Sequence, residues 1–170
     1  MLNPQKTWLM YSLLMLIAVV WLAVIVLPPW LMATGHMGLA ISLYRGLSGI
    51  CHQIPERSFS LWGFPLAVCS RCTGIYCGFV FGLGLYPFCR NVGEVTIPPR
   101  IWLAIGALPM LLDVGVDFAG IFKNTFLSRT ATGLFVGIVA AFFLLPAWVG
   151  ILYPRLPESQ KHSFKEHFSA

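Results

Sequence analysis

The sequence predicts an all-α fold: a polytopic membrane helix bundle of four transmembrane helices, with an interfacial or re-entrant helix in the first loop. Composition supports this class first, because 58% of the 170 residues are hydrophobic and only 10% are charged. A soluble domain carries about 25% charged residues. The mean hydropathy is +0.79. Four stretches also reach the roughly 20 apolar residues that a helix needs to cross a bilayer.

The four predicted spans form a single transmembrane domain over residues 1–153, followed by a polar tail at 154–170. Arg71 lies in the second span, and Asp113 and Asp117 lie in the third, whereas the first and fourth spans carry no charge. Charged residues in lipid are costly unless they pair or line a cavity. The predicted spans are residues 8–27, 66–88, 101–122 and 131–153.

Residues 32–47 are apolar but too short for a fifth span. Gly35, Gly38 and Arg45 interrupt them. An apolar stretch of this length favours a helix that lies in the interface or re-enters the membrane from one side. The four-span count places both termini on the same side.

The net charge of +5 comes from scattered lysines and arginines without any basic run. Because no basic run is present, nucleic acid is not a predicted partner. Apart from Arg71, the lysines and arginines instead lie outside the predicted spans, where they set the orientation of the spans in the membrane. The side of the termini holds six basic residues and the other side four. We therefore expect a multi-pass protein of the cell (inner) membrane with both termini in the cytoplasm. The six are Lys6, Arg90, Arg100, Arg155, Lys161 and Lys165; the four are Arg45, Arg57, Lys123 and Arg129.

The unusual polar residues of this chain are all predicted to lie at one membrane face. The first loop carries Cys51, His52 and Arg57, and the second span starts from that loop with Cys69, Arg71 and Cys72. The third span ends on the same side, just after Asp113 and Asp117, and Arg129 precedes the fourth. Because charges in lipid pair with one another, Arg71 and Arg129 are expected to meet the two aspartates.

Glycines recur every four residues on the second span, at Gly74, Gly78 and Gly82. Such a stripe of small residues lets two helix backbones approach closely in a membrane. Gly133 and Gly137 on the fourth span offer an opposing stripe. The pattern predicts helix packing rather than a ligand site.

Three segments of the chain resemble a family of small bacterial and archaeal multi-pass membrane proteins of unknown function. They are CHQIPERSF at 51–59, CSRCTGIYCG at 69–78, and the stretch from Asp113 to RTATG at 129–133. The resemblance covers about residues 45–140. In the family pattern an Asp-Gly is followed by a Gln on the third span; here Val114 follows Asp113, and Asp117 takes the place of that Gln. The resemblance implies a membrane protein with a shared polar site and supplies no reaction.

The first functional hypothesis is a metal site, with zinc as the metal. Thiolates and imidazole are the ligands that zinc prefers, usually four in a tetrahedron. Cys51, His52, Cys69 and Cys72 would form that set. A metal held for structure and a Lewis-acid metal with an aspartate base both fit the pattern.

Thiol–disulfide exchange is the second hypothesis. The C-x-x-C of Cys69 and Cys72 lies beside Arg71 at a helix start, where thiols become reactive thiolates. Cys51 would be the shuttle thiol and a membrane quinone the partner. Cys77 and Cys89 are interpreted as ordinary small apolar residues.

The third hypothesis is recognition of an anionic lipid headgroup or another anionic substrate by an enzyme or carrier. Arginine binds phosphate through its planar fork, and an aspartate pair could hold Mg²⁺ beside such a group. A scaffold role, with Arg71 and Asp117 as a buried ion pair, is the remaining interpretation. The candidate catalytic residues are Arg57, Arg71, Asp113, Asp117 and Arg129.

Overall fold

The computed structural model describes residues 4–94 and 96–152, so the predicted tail at 154–170 lies outside the described residues. Within these ranges the chain forms five α-helices and one small hairpin. The helices are α1 (Pro4–Ala33), α2 (Met37–Ser48), α3 (Ser70–Cys89), α4 (Ile101–Phe118) and α5 (Phe126–Leu152); the strands are β1 (Ser60–Leu61) and β2 (Phe64–Pro65).

Four of these helices are long and apolar enough to cross a membrane, namely α1, α3, α4 and α5. The predicted helix bundle with four spans is therefore confirmed. The short helix predicted in the first loop is α2, which has 12 residues. At 1.5 Å per residue it extends about 18 Å, too little for a hydrocarbon core of about 30 Å.

The start of α5 differs from the sequence prediction in a way that matters for the site. The fourth span was predicted to begin at residue 131, but α5 begins at Phe126. Thr125 and Ser128 explain the earlier start, because each backbone N–H donates to the other's hydroxyl, at 3.2 and 3.1 Å. This is a capping box with serine in place of the usual acid. Arg129 therefore lies in the first turn of α5, not in the loop before it.

The boundaries of α3 and α4 also differ from the prediction. The second span was predicted from residue 66, but the Leu66 N–H donates to the Phe59 carbonyl at 2.6 Å and extends the hairpin. The third span was predicted to residue 122. Instead α4 ends at Phe118, and Gly120 adopts a φ of +70° in the turn that follows.

The hairpin of β1 and β2 was missed by the sequence prediction. Ser60 pairs with Pro65 and Leu61 with Phe64. Trp62 and Gly63 form the two-residue loop, with φ values of +53° and +84°. Two positive φ angles are typical of the type I′ turn that matches strand twist. A glycine at the second loop position was the available signal in the sequence.

Helices α3 and α5 form the most extensive helix contact in the described chain. A Cβ on Gly78 would overlap the Leu134 carbonyl, and one on Gly133 would overlap the Arg71 carbonyl. The predicted packing role of the glycines is confirmed. We call this contact of Gly74, Gly78, Gly82, Gly133 and Gly137 the glycine seam. It fixes the depth and rotation of α3 against α5, and so the positions of their first turns.

Candidate functional site

Three cysteines from two segments meet at one end of the bundle. The Sγ atoms of Cys51, Cys69 and Cys72 all lie within 4.8 Å of one another. Cys51 follows α2, Cys69 immediately precedes α3, and Cys72 lies in its first turn. Cys51 is 6% exposed, and the other two are half-buried. We call these three residues the cysteine cluster.

The buried sulfur of Cys51 is held by apolar packing and by one hydrogen bond. Cys51 belongs to an apolar group with Ile25, Leu66 and Val68. The backbone N–H of Cys69 donates to Cys51 Sγ at 3.2 Å. Hydrogen bonds of this kind to a ligand atom orient metal ligands.

The loop that carries Cys51 is held in place by hydrogen bonds to α2. Tyr44 Oη donates to the Pro65 carbonyl at 2.5 Å, which ties α2 to β2. Gln53 Nε2 donates to the Tyr44 carbonyl at 2.8 Å, and Gln53 itself adopts a φ of +49°. Neither Tyr44 nor Gln53 was predicted from the sequence. Gln53 stands within the CHQ segment, which was the available signal.

Cys69 lies just before the membrane-spanning part of α3, and its thiol is acidic. A hydrogen bond from the Cys72 side chain lowers the pKa of Cys69 to about 5, against the effect of burial, which raises it. The backbone N–H groups of Cys72 and Arg71 add to the lowering. The lowered pKa of Cys69 favours its thiolate, the form that binds metals and attacks electrophiles.

The two arginines at the helix starts each meet an aspartate of α4. Arg71 Nη2 lies 2.5 Å from Asp113 Oδ2, and Arg129 Nη2 lies 3.5 Å from Asp117 Oδ2. The structure thus brings together the two arginines and two aspartates that the sequence predicted would meet. Arg71 pairs with Asp113, not with the Asp117 of the scaffold interpretation.

Asn124 joins both aspartates and was missed by the sequence analysis. Its side-chain Nδ2 donates to Asp113 Oδ2 at 2.8 Å, and its backbone N–H donates to Asp117 Oδ1 at 3.2 Å. No sequence pattern singles out this residue beyond its place in the loop before α5. Asn124 makes the α4–α5 loop part of the polar network.

A cavity of about 370 Å³ opens beside the cysteine cluster, and we call it the arginine cavity. Asp113 and Asp117 contact two of its arginines but are not among its lining residues. His52 also lines the cavity. Among the described residues, however, the group of ligand atoms within 4.8 Å of one another contains only the three cysteines and not His52. The predicted four-ligand set is therefore brought together in part. The lining residues are Ile50, Cys51, His52, Ile54, Arg57, Cys69, Arg71, Cys72 and Arg129.

This polar end of the molecule falls within a region shared with other proteins. The model of the predicted membrane protein family DUF2085 matches residues 51–143. This chain belongs to the DUF2085 family. The match begins at Cys51 and ends within α5, so it includes every predicted site residue. The resemblance drawn from the sequence is confirmed, and so is a multi-pass location in a membrane.

Two archaeal relatives are similar over much of their length. An uncharacterised protein of Methanocaldococcus jannaschii is 36% identical over 117 residues, covering 69% of this chain and 75% of the relative. An uncharacterised protein of Methanothermobacter thermautotrophicus is 38% identical over 89 residues, covering 52% of this chain and 78% of the relative. No solved structure matches the chain.

Proposed function

We propose that this protein carries a zinc-thiolate centre at one face of the membrane. Cys51, Cys69 and Cys72 would bind the metal, and His52 would be the fourth ligand. The observation that carries the proposal is the mutual approach of three Sγ atoms within 4.8 Å. With a Zn–S distance of about 2.3 Å, sulfurs of a tetrahedral site lie about 3.8 Å apart. Small side-chain rotations would therefore suffice.

The charges around the cysteine cluster also support a metal centre. Zinc with three thiolates carries one net negative charge, which is costly beside lipid unless it is compensated. Arg57, Arg71 and Arg129 line the same cavity and would compensate it. The N–H of Cys69 that donates to Cys51 is the kind of outer contact that holds a metal ligand in place.

A structural role for the zinc fits the surrounding residues better than a hydrolytic one. A bound zinc with an open position would supply Lewis-acid chemistry and need a base at that position. Asp113 and Asp117 are engaged by arginines and do not line the arginine cavity. We therefore assign them the role of positioning Arg71 and Arg129.

The test is to measure metal content and free thiols on the same detergent-purified protein. Cys72→Ser removes one proposed ligand. Cys77→Ser is the matched control, because Cys77 lies on the same helix, is exposed, and stands outside the cysteine cluster. We expect about one zinc per chain in the wild type and in Cys77→Ser, and loss of zinc in Cys72→Ser.

Thiol–disulfide exchange is the second candidate, favoured by the C-x-x-C directly at the start of α3. In that reaction Cys69 and Cys72 would form a disulfide and release two electrons and two protons to a membrane quinone. The measurements of metal content and free thiols described above distinguish the zinc centre from thiol–disulfide exchange. Absence of metal, together with two thiols that react only after reduction, would replace the zinc proposal with this one.

We further propose that both termini face the cytoplasm of a cell (inner) membrane, which puts the cysteine cluster at the opposite leaflet. The support is the bias of lysine and arginine. A reporter fused after Ala170 that is active only in the cytoplasm should be active. A reporter active only outside the cytoplasm should be active when inserted after Trp62, in the exposed turn of the hairpin. The reverse pattern would invert the proposed orientation.

A further inference from the structure

We propose that the arginine cavity binds the phosphate headgroup of an anionic membrane lipid, with the lipid chain in an adjoining apolar groove. The structural basis is the juxtaposition of three arginines with an apolar groove one helical turn further into α3. The arginines carry this inference, so it does not depend on the zinc centre.

Two arginines of the cavity have buried hydrogen-bond donors that no acceptor among the described residues satisfies. The Nε atoms of Arg71 and Arg129 are buried, and neither has an acceptor among the described residues. Arg129 reaches Asp117 only at 3.5 Å. Arg57 makes no ion pair within the described part of the chain. Buried donors without acceptors are unfavourable, and a phosphate supplies acceptors that fit the planar guanidinium fork.

One arginine of the cavity has no carboxylate to balance its charge. The described lining has three arginines and no carboxylate, but Asp113 and Asp117 pair with Arg71 and Arg129 from outside the lining. Arg57 makes no ion pair within the described residues, so it leaves one positive charge unbalanced among the ion-paired groups. Because arginine at headgroup depth attracts phosphate, Arg57 is the residue that favours an anionic headgroup over a zwitterionic one.

An apolar groove of about 320 Å³ lies against α1, α3 and α5. Tyr76 lines it and stands four residues after Cys72, so the two side chains share one face of α3. Trp21 also lines the groove, and its ring packs edge-on against Tyr76 at 5.8 Å. Both aromatic residues pack against the apolar group of Cys51. The groove therefore lies next to the cysteine cluster, further along α3 from its first turn, where the chain of a lipid held in the arginine cavity would run.

The first experiment compares lipid binding to the purified full-length protein by native mass spectrometry. The probes are phosphatidylglycerol and phosphatidylcholine with the same chains. Arg57→Gln removes an arginine that makes no ion pair with any described residue, so the fold should persist. Arg45→Gln is the matched control, because Arg45 is exposed on α2 and lies outside the cavity. We expect Arg57→Gln to weaken phosphatidylglycerol binding by about tenfold, and Arg45→Gln to leave it unchanged.

A second variant tests whether a lipid chain occupies the groove. Ala140 lines the apolar groove, so Ala140→Phe should fill part of it and weaken phosphatidylglycerol binding. Ala23→Phe adds the same ring on an exposed position of α1 and should have no effect. A third arm adds millimolar inorganic phosphate, which should not displace the lipid, because phosphate lacks the chain.

Three results would overturn the proposal: equal binding of the two lipids, equal effects of Arg57→Gln and Arg45→Gln, or displacement of the lipid by inorganic phosphate. The last would assign the cavity to a free anion. Zinc content is measured on the same wild-type sample as lipid binding, so the two results are obtained independently. Failure of lipid binding with zinc present would therefore reject this inference alone, and absence of zinc with selective lipid binding would reject only the metal proposal.

Discussion

Each end of α3 carries a cysteine beside an arginine, yet among the described residues only the N-terminal end brings them together with other cysteines and charges in a candidate site. At the N-terminal end, Arg71 pairs with Asp113, 42 residues further along the chain. At the C-terminal end, Arg90 pairs with Glu94, only four residues away. Cys89 is exposed and lies outside the cysteine cluster. The same residue types thus give a shared network at one end and a local contact at the other.

The difference between the ends comes from the segments that meet there. The start of α3 is surrounded by the loop after α2, the end of α4 and the start of α5. Each of these segments contributes a thiol or a charged side chain to this end of the molecule. Residue type alone therefore does not identify a site in this protein; a site requires several chain segments to arrive at the same depth.

The largest expected effect is at the pair between Arg71 and Asp113. Asp113→Ala leaves a guanidinium group that is 23% exposed without its partner, and should lower the free energy of unfolding by about 3 kcal/mol. Glu94→Ala, at a side chain that is 37% exposed, should cost less than about 1 kcal/mol. The free energy of unfolding of both variants is measured in mixed micelles. Equal decreases for the two variants would contradict the proposed difference between the two ends of α3.

The glycine seam should matter almost as much, because it sets the position of the N-terminal end. Gly78→Ala places a Cβ against the Leu134 backbone and should destabilise the protein by about 2 kcal/mol. Gly84→Ala on the same helix meets no atom within 4 Å and should be neutral or slightly stabilising. Thermal melting in detergent distinguishes them. A similar melting temperature for both variants would show that the close approach is not required.

His52 should contribute to zinc binding, whereas the exposed His36 should not. His52→Ala removes the proposed fourth ligand and should weaken zinc affinity about tenfold, or about 1.4 kcal/mol. His36→Ala is the control, since His36 contacts the Thr34 hydroxyl at 3.1 Å and lies outside the arginine cavity. Competition with a chromophoric chelator measures both affinities. Unchanged affinity in His52→Ala would leave the fourth position to water.

The smallest expected effect is a pH dependence at the C-terminal end. The Thr96 hydroxyl, and then Arg90, hold the pKa of Glu94 below its ordinary value of 4.5, with burial opposing them. A carboxylate with a lowered pKa stabilises the fold above its unfolded pKa, and this contribution disappears as the pH falls through the lowered value.

Solvent screening limits the contribution of Glu94 to about 0.3 kcal/mol. The difference in free energy of unfolding between wild type and Glu94→Gln should therefore shrink from pH 6 to pH 3. A difference that grows on acidification would contradict the assigned sign.

Much of the architecture follows from local sequence. Span length and apolar content are properties of one segment at a time, so the four spans and the short first-loop helix could be predicted. Chain direction then required Cys69, Arg71, Asp113 and Arg129 to lie at one membrane face, because successive spans run in opposite directions. The convergence of the site was predictable for the same reason.

Only the tertiary structure decided which groups meet within that face. The pairing of Arg71 with Asp113 and the bridging position of Asn124 depend on how far each helix is rotated and inserted. The glycine seam sets that rotation and depth for α3 and α5, and the Thr125–Ser128 capping box starts α5 early enough to place Arg129 on the helix. Such relations between distant segments are not encoded in the hydropathy or spacing of any one of them.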